Sequence, residues 1–537
     1  MPSKSVILTI DQGTTSTRAI VFDETAEPLG SAQKELTQIF PRSGWVEHDP
    51  VEIAESAIGV ARQALQTANA SVDDVAAVGI ANQRETTVVW ESSTGRPLSN
   101  AIVWQDHRTA EICNEISDAG LADDIWSRTG LIVDPYFSAT KMRWMLDHLP
   151  IPNLQGRAEN GDVRFGTVDT WLIDQLSRGE RSGRISDAPR YDVPHLTDVT
   201  NASRTMLLNI HDLTWDPDLL RIFGIPEAAL PTPMPSAGTF TTVHASIFGR
   251  EIPVTGVAGD QHAALYGQAC FTRGDMKCTY GTGAFLLANA GANVDLFTGA
   301  SGSGEMSTAD LDEANAGLLF TLGWQSGGAK TYALEASIFN TGSTTQWLRD
   351  GLGILSNAAD SSDVAVMLGD NAGVYLVPAF SGLGSPHWDP HARASITGIS
   401  RGTTRDHIIR AALESTAFQV KEVVDIMDSR LRVSRRGNRR ERVIRVDGGQ
   451  TRNPFLMQFQ ADLLDRPIEV SAVDETTALG AAFLAGRAAG VWRTERELAD
   501  LWRCAHRYEP DMSQSERIRL MAGWNEALRR TKTNFRG

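Results

Sequence analysis

The feature that most constrains this chain is a hydroxyl- and glycine-rich turn between two apolar runs, and the plan occurs twice. "ILTIDQGTTSTRAIVFD" (residues 7–23) sets Asp11, Gly13, Thr14, Thr15, Ser16 and Arg18 between strand-like flanks. "DMKCTYGTGAFLLAN" (275–289) repeats it around Gly281, Thr282 and Gly283. A hairpin turn needs only Asn-Gly or Asp-Gly, so folding leaves the extra hydroxyls, Asp11 and Arg18 unexplained. A third strand near 29–39, a helix over 50–70 and a buried strand at 75–83 follow the first hairpin. A long amphipathic helix at 407–427 and a strand, Gly-Gly turn and helix over 442–464 follow the second. Helices are also expected at 138–149 and 168–176, and a Pro-rich connector at 225–238. The expected fold class is α/β: a duplicated unit of mixed sheet covered by helices, its halves facing a shared cleft.

Length agrees with two halves. At 537 residues and 58.3 kDa the chain exceeds what one core supports, and two domains of roughly 250 residues follow. A division into residues 1–255 and 256–537 is expected. Lys and Arg total 50 against 66 Asp and Glu, a net charge of −16, which argues against a nucleic-acid or anionic-membrane surface. Small molecules are the expected partners. Cys113, Cys270, Cys278 and Cys504 form no C-x-x-C pair, which fits a reducing compartment. The first apolar run is shorter than a signal h-region and no run approaches the ~20 residues of a membrane span; a cytoplasmic protein is expected.

The two turns suit phosphate. Gly13 admits a ligand close to backbone N–H groups, Thr14, Thr15 and Ser16 add hydroxyls, and Arg18 adds a cation. Ordinary β-turns are the alternative for either alone; the pair, with "DGGQTRNP", points to a nucleotide. No Gly-Lys dipeptide or G-x-G-x-x-G occurs, which excludes a P-loop and gives no support to a dinucleotide fold. "VAGDQHAAL" places Asp260 and Gln261 after a small-residue strand end. An Asp there serves as an N-cap, or, with Asp11, as one of the two carboxylates that phosphoryl transfer uses to take a hydroxyl proton and help hold Mg²⁺. Arg84 and Glu85 in "NQRETTVVW" form a surface ion pair or a donor and acceptor for polyol hydroxyls. Trp104 and Tyr136 are core aromatics or the apolar wall of such a site.

"DQGTTSTR", "GWVEHDP", "NQRETT", "VDPYFSATK", "TNASRTMLLNIH", "AGDQ", "TYGTG", "QWLRD", "VPAFSGLGSPHWDPHARA", "RVDGGQTRNPFLMQFQADLL" and "TTALGAAFLAG", in order from about residue 6 to 505, resemble the FGGY carbohydrate kinases, and among them the glycerol kinases. The resemblance implies two ribonuclease-H-like domains of the actin and hexokinase ATPase type around an interdomain cleft. It implies transfer of phosphate from ATP, with Mg²⁺, to glycerol, giving sn-glycerol 3-phosphate in the first step of glycerol catabolism. By matching positions, Arg84, Glu85, Trp104, Tyr136, Asp260, Gln261 and Phe285 would bind glycerol. Thr14, Thr15, Ser16, Arg18 and Thr282 would meet the ATP phosphates, and Gly342, Gln346, Gly449 and Asn453 the adenosine. Asp260 would be the catalytic base, with Asp11 catalytic beside it, and both would lie nearest the metal. A homo-oligomer, dimer or tetramer, is implied, with no nucleic-acid partner and no membrane insertion. A kinase for another polyol or sugar is the neighbouring reading, and a nucleotide switch of the actin and heat-shock type the reading from another class.

Departures are His262 after "GDQ", where relatives often carry Gln, and His387 and His391, where Tyr is usual. The two histidines stand four apart, but Pro386 and Pro390 oppose the helix a metal pair at that spacing would need. "ERSGRISDAPRYDVPHL", "TGASGSGEMSTADLDEANAG" and "RLRVSRRGNRRERV" are additional stretches expected to be surface loops.

Overall fold

In the computed structural model, residues 5–181, 184–185, 189–190, 192–293, 317–431 and 442–533 are described. The additional stretch at 298–317 lies almost wholly outside them, and those at 180–196 and 430–443 do so in part.

The alternation of apolar residues about the first turn gives strands β1 (Val6–Gln12) and β2 (Ser16–Phe22), paired antiparallel with Asp11 opposite Arg18. The polar β3 (Pro28–Glu35) pairs with β2 and forms the sheet edge, where exposed charge blunts edge pairing. Helix α1 (Pro50–Thr67) starts on an Asp49 cap with Pro at its first turn, a favoured start because proline's missing N–H has no partner to lose there. β4 (Val75–Asn82), apolar on both faces, lies parallel to β1, as buried parallel strands do. After β5 (Ala237–Val243) comes β6 (Ile252–Gly259), parallel to β4 and antiparallel to β5.

Helix α2 (Asp260–Gly267) leads into the second half. There β7 (Met276–Tyr280), β8 (Ala284–Gly291), β9 (Leu319–Ser326) and β10 (Ala329–Ile338) precede helices α3 (Gly342–Asp350) and α4 (Arg405–Arg430). β11 (Ile444–Asp447), α5 (Pro454–Leu464), β12 (Ile468–Ser471), α6 (Thr476–Ala489) and β13 (Cys504–Tyr508) complete it. Six strands of each half correspond in order and direction within the sheet, but the chain order does not: β5 precedes β6 in sequence whereas β13 follows β12, and the second half adds β9. β3-β2-β1 is an antiparallel meander followed by parallel β4 and β6 and antiparallel β5. β10-β8-β7 is its counterpart, followed by parallel β11 and β12 and antiparallel β13.

The two sheets are not separate. They form one thirteen-stranded sheet, joined where β5 meets β9 through a single parallel pair, Ala237 with Ser326. Helix α6, from the second half, packs on β4 and β6 of the first and against α2. It comes within backbone contact because both surfaces carry glycine. A Cβ at Gly480 of α6 would stand 1.7 Å from the Ala263 carbonyl oxygen, and one at Gly79 of β4 would stand 2.4 Å from that of Ala481.

The division expected between residues 255 and 256 falls inside β6, so the first sheet runs on to Gly259. The Pro-rich connector holds a short strand, Thr232–Met234, parallel to Leu196–Asp198; Pro233 fits because this pair is a two-stranded edge. No described helix is long and apolar enough to cross a membrane.

Candidate active site

Each hairpin turn borders the cleft. The first is closed by Gly13 N–H donating to the Ser16 carbonyl at 2.9 Å. It presents Thr14 and Thr15 to a cavity of about 660 Å³, which the second turn borders with Gly281, Thr282 and Gly283. Arg84, Glu85, Trp104, Tyr136, Asp260, Gln261 and Phe285 line the same cavity. The residues expected to hold a polyol are therefore together, though 201 positions separate Arg84 from Phe285.

Arg84 is the hub. It is 3% exposed, with Nε 3.0 Å from Asp260 Oδ1 and Nη1 donating to Glu335 Oε2 at 2.7 Å. Its Nη2 donates to the Tyr136 hydroxyl at 3.3 Å. The surface ion pair considered for Arg84 and Glu85 is replaced by a buried one: the two stand 4.0 Å apart, and Glu85 Oε1 instead accepts from Arg204 Nε at 2.5 Å. Both charges come from the turn after β4, where Glu85 adopts a left-handed φ of +61°, a strained conformation for a residue with a Cβ. That geometry turns two adjacent side chains to one side of the chain.

Asp260 opens α2 at the end of β6, its Oδ1 accepting from Gln261 N–H at 2.6 Å. Gly259 precedes it because a Cβ there would lie 2.6 Å from Arg84 Cγ. On β1, and not among the residues lining this cavity, the Asp11 carboxyl is raised to about 7 by burial and then by the Asp260 charge, with Arg18 opposing. A carboxylate raised in part by a neighbouring carboxylate suits a cation shared with it. Among the described residues no three His, Cys, Asp or Glu side chains cluster as a ready metal cage.

The aromatic wall is Trp104 and Tyr136, edge to face at 5.5 Å. Trp104 Nε1 donates to Thr14 Oγ1 at 2.8 Å, tying the wall to the first turn. Buried Lys141 gives hydrogen bonds to the carbonyls of Pro135, Tyr136 and Phe137 and so fixes the Tyr136 loop. Its ammonium is lowered to about 8, with burial the first cause.

A second cavity, of about 520 Å³, holds Thr282, Gly342, Gln346, Gly449 and Asn453. Gly281 and Thr282 line both cavities. Ser16 and Arg18 border neither: Gln33 donates to Ser16 Oγ at 2.8 Å, while Arg18 donates to Gln33 Oε1 at 2.8 Å and pairs with Glu475.

Residues 6–267 match the FGGY family of carbohydrate kinases, N-terminal domain, and residues 276–489 the C-terminal domain of the same family. The chain belongs to this family. Among FGGY relatives, "Glycerol kinase 2" of Thermotoga maritima is 51% identical over 527 residues, covering 98% of each chain. A glycerol kinase of Dechloromonas aromatica is 48% identical, also with 98% of each chain covered. Among solved structures, Plasmodium falciparum glycerol kinase with ADP superposes with TM-score 0.85 at 36% identity over 98% of each chain. Xylulose kinase of Lactobacillus acidophilus, at 20% identity, covers 99% of this chain and 100% of its own with TM-score 0.80, a likeness of fold. The fold is thus the two-domain FGGY kinase fold of the actin and hexokinase ATPase class.

Reading the sequence missed Glu335, Arg204 and Lys277. Glu335 and Arg204 are fully buried, as is Lys277, whose Nζ donates to Gln261 Oε1 and, at 2.9 Å, to Thr279 Oγ1. Their common signal is a charge inside an apolar strand or motif, as in "YALEASI" and "DMKCTY", which is costly unless a partner compensates it.

Proposed function

We propose that this FGGY kinase phosphorylates glycerol with ATP, giving sn-glycerol 3-phosphate and ADP. The observation that carries the reading is the shared wall. A cavity with a polyol donor, acceptor and aromatic face shares Gly281 and Thr282 with a cavity lined by the turn and helix residues matched to adenosine. A nucleotide switch has no use for the Arg84, Glu85 and Asp260 cluster. The relatives named glycerol kinase at up to 51% identity support the triol over a larger sugar.

In this reading Arg84 and Glu85 supply a donor and an acceptor to glycerol hydroxyls, Gln261 and Tyr136 add to the grip, and Trp104 and Phe285 cover the carbon face. Asp260 accepts the proton of the terminal hydroxyl as the new P–O bond forms. Its Oδ1 is already engaged by Arg84 and the Gln261 amide, which leaves Oδ2 for the acceptor. Thr14, Thr15 and Thr282, with amides of both turns, hold phosphate oxygens. Ser16 and Arg18 join them once Arg18 exchanges Glu475 for phosphate. Gly342, Gln346, Gly449 and Asn453 receive the adenosine. Asp11 and Asp260 are the residues that would hold Mg²⁺ together with phosphate oxygens and water; when bound, the metal neutralises charge on the transferring phosphate. We assign the protein to the cytoplasm and to a homo-oligomer, dimer or tetramer.

The test is ADP release measured with glycerol, dihydroxyacetone, xylulose and gluconate. Glycerol is expected to stimulate most, and no stimulation by glycerol overturns the reading. Asp260→Asn is expected to lower kcat by about 10²–10⁴-fold while glycerol still binds, as a calorimetric titration will register. Turnover close to wild type would remove Asp260 as the base.

A further inference from the structure

Arg84 and Arg204 belong to the first half of the chain, yet a carboxylate of the second half holds both. Glu335 lies on β10, 251 positions from Arg84. It is fully buried, and Oε2 stands 2.7 Å from Arg84 Nη1 and 3.1 Å from Arg204 Nη1. The paired guanidiniums hold its carboxyl down at about 2 against the effect of burial. Glu335 does not line the polyol cavity, whereas Arg84, Asp260 and Tyr136 do.

Stability alone does not account for this network. A buried ion cluster is often no more stable than apolar residues of the same volume. This one is also incompletely satisfied: Arg204 Nη1 meets Glu335 as an ion pair without hydrogen-bond geometry, and Glu335 Oε1 and Arg204 Nη2 have no hydrogen-bond partner among the described residues. What the arrangement does achieve is orientation. With Nη1 held by Glu335, the fork of Arg84 presents Nε to Asp260 and Nη2 to the Tyr136 hydroxyl. A guanidinium released from Glu335 would be free to turn toward its remaining counter-charges, Asp260 and Glu85, and lose the alignment that a polyol hydroxyl meets.

We propose that Glu335 is a positioning residue that sets the acceptor grip from the opposite half of the molecule, by holding Arg84 in register with Asp260 and Tyr136. Acceptor affinity then depends on how the two halves sit, although every polar group assigned to the acceptor other than Glu335's partners is unchanged by its removal. This inference rests on the glycerol-kinase reading.

The experiment compares Glu335→Gln and Glu335→Asp with the wild-type full chain in glycerol-dependent ADP release, with circular dichroism as the check on folding. Absence of glycerol-dependent turnover in wild type defeats the functional reading itself, independently of Glu335. With wild type active, Glu335→Gln is expected to raise the KM for glycerol by about tenfold or more while the KM for ATP stays within about twofold. Glu335→Asp, which keeps the charge on a shorter arm, is expected to fall between the two. If Glu335→Gln does not fold, Glu335→Asp decides, with a raised glycerol KM in support and an unchanged one against. A glycerol KM within about twofold of wild type, glycerol and ATP KM rising together, or Glu335→Asp no closer to wild type than Glu335→Gln would each overturn the proposal.

Discussion

Single side chains in this molecule are held in defined protonation states by burial, and His48 shows it most clearly. It is 1% exposed. Gln83 Nε2 lies 3.3 Å from its Nδ1, and its Nε2 lies 3.1 Å from Gln38 Oε1, a pattern that suits the neutral ring with hydrogen on Nε2. Burial lowers its pKa from 6.5 to about 4. As pH falls below 6.5 the unfolded chain takes up this proton while the folded chain does not until about 4, so stability drops across that window. His48→Asn is therefore expected to lose less stability than wild type between about pH 7.5 and 5.5, by about 1 kcal/mol, measured by urea denaturation at both pH values. Equal losses would contradict the assignment. At this scale the sequence was informative where residue type and turn coincide, as at Thr14, Asp260 and Thr282. It was silent on Glu335, because a charge in a strand names no partner until the opposite half of the chain is in place.

Secondary-structure elements are set by glycine as much as by apolar periodicity. Gly480 and Gly59 both sit within helices, but their surroundings differ. A Cβ at Gly480 meets main chain of α2, whereas one at Gly59 of α1 meets nothing within 4 Å. Gly480→Ala is expected to destabilise by about 1–3 kcal/mol through overpacking and to lower kcat, since α2 carries Asp260 at its start. Gly59→Ala is expected to stabilise by up to about 1 kcal/mol through helix propensity. Thermal or urea unfolding of both variants tests the contrast, and opposite or equal shifts would refute it. The hairpins, α1, β4, α4 and α5 were legible because period and turn chemistry agree there. The β9–β10 hairpin was not read, although it supplies Glu335. The small residues of "TTALGAAFLAG" carry no local sign of their use in backbone contact, which depends on the facing Gly79 and Gly267.

At the scale of the molecule, duplication was legible and the connection between halves was not. One bridge from Ala237 to Ser326 depends on which sheet edges meet, which local patterns do not encode. That bridge, the α6 contact and the buried Glu335 cluster join the halves, and residues of both halves line the polyol cavity. A triol alone is far smaller than the roughly 660 Å³ it would enter, and water sharing the cavity would compete for the phosphoryl group. Closure on the ternary complex is therefore expected: the radius of gyration measured by X-ray scattering should fall when glycerol and a non-hydrolysable ATP analogue are added together. An unchanged radius would count against closure.

The two-residue partition formed by Gly281 and Thr282 has a practical consequence for inhibitor chemistry. A compound that tethers a polyol head to an adenosine tail across that partition would present its second end at high local concentration as soon as the first is seated. Its affinity would exceed that of either fragment without any new contact, provided the tether matches the span.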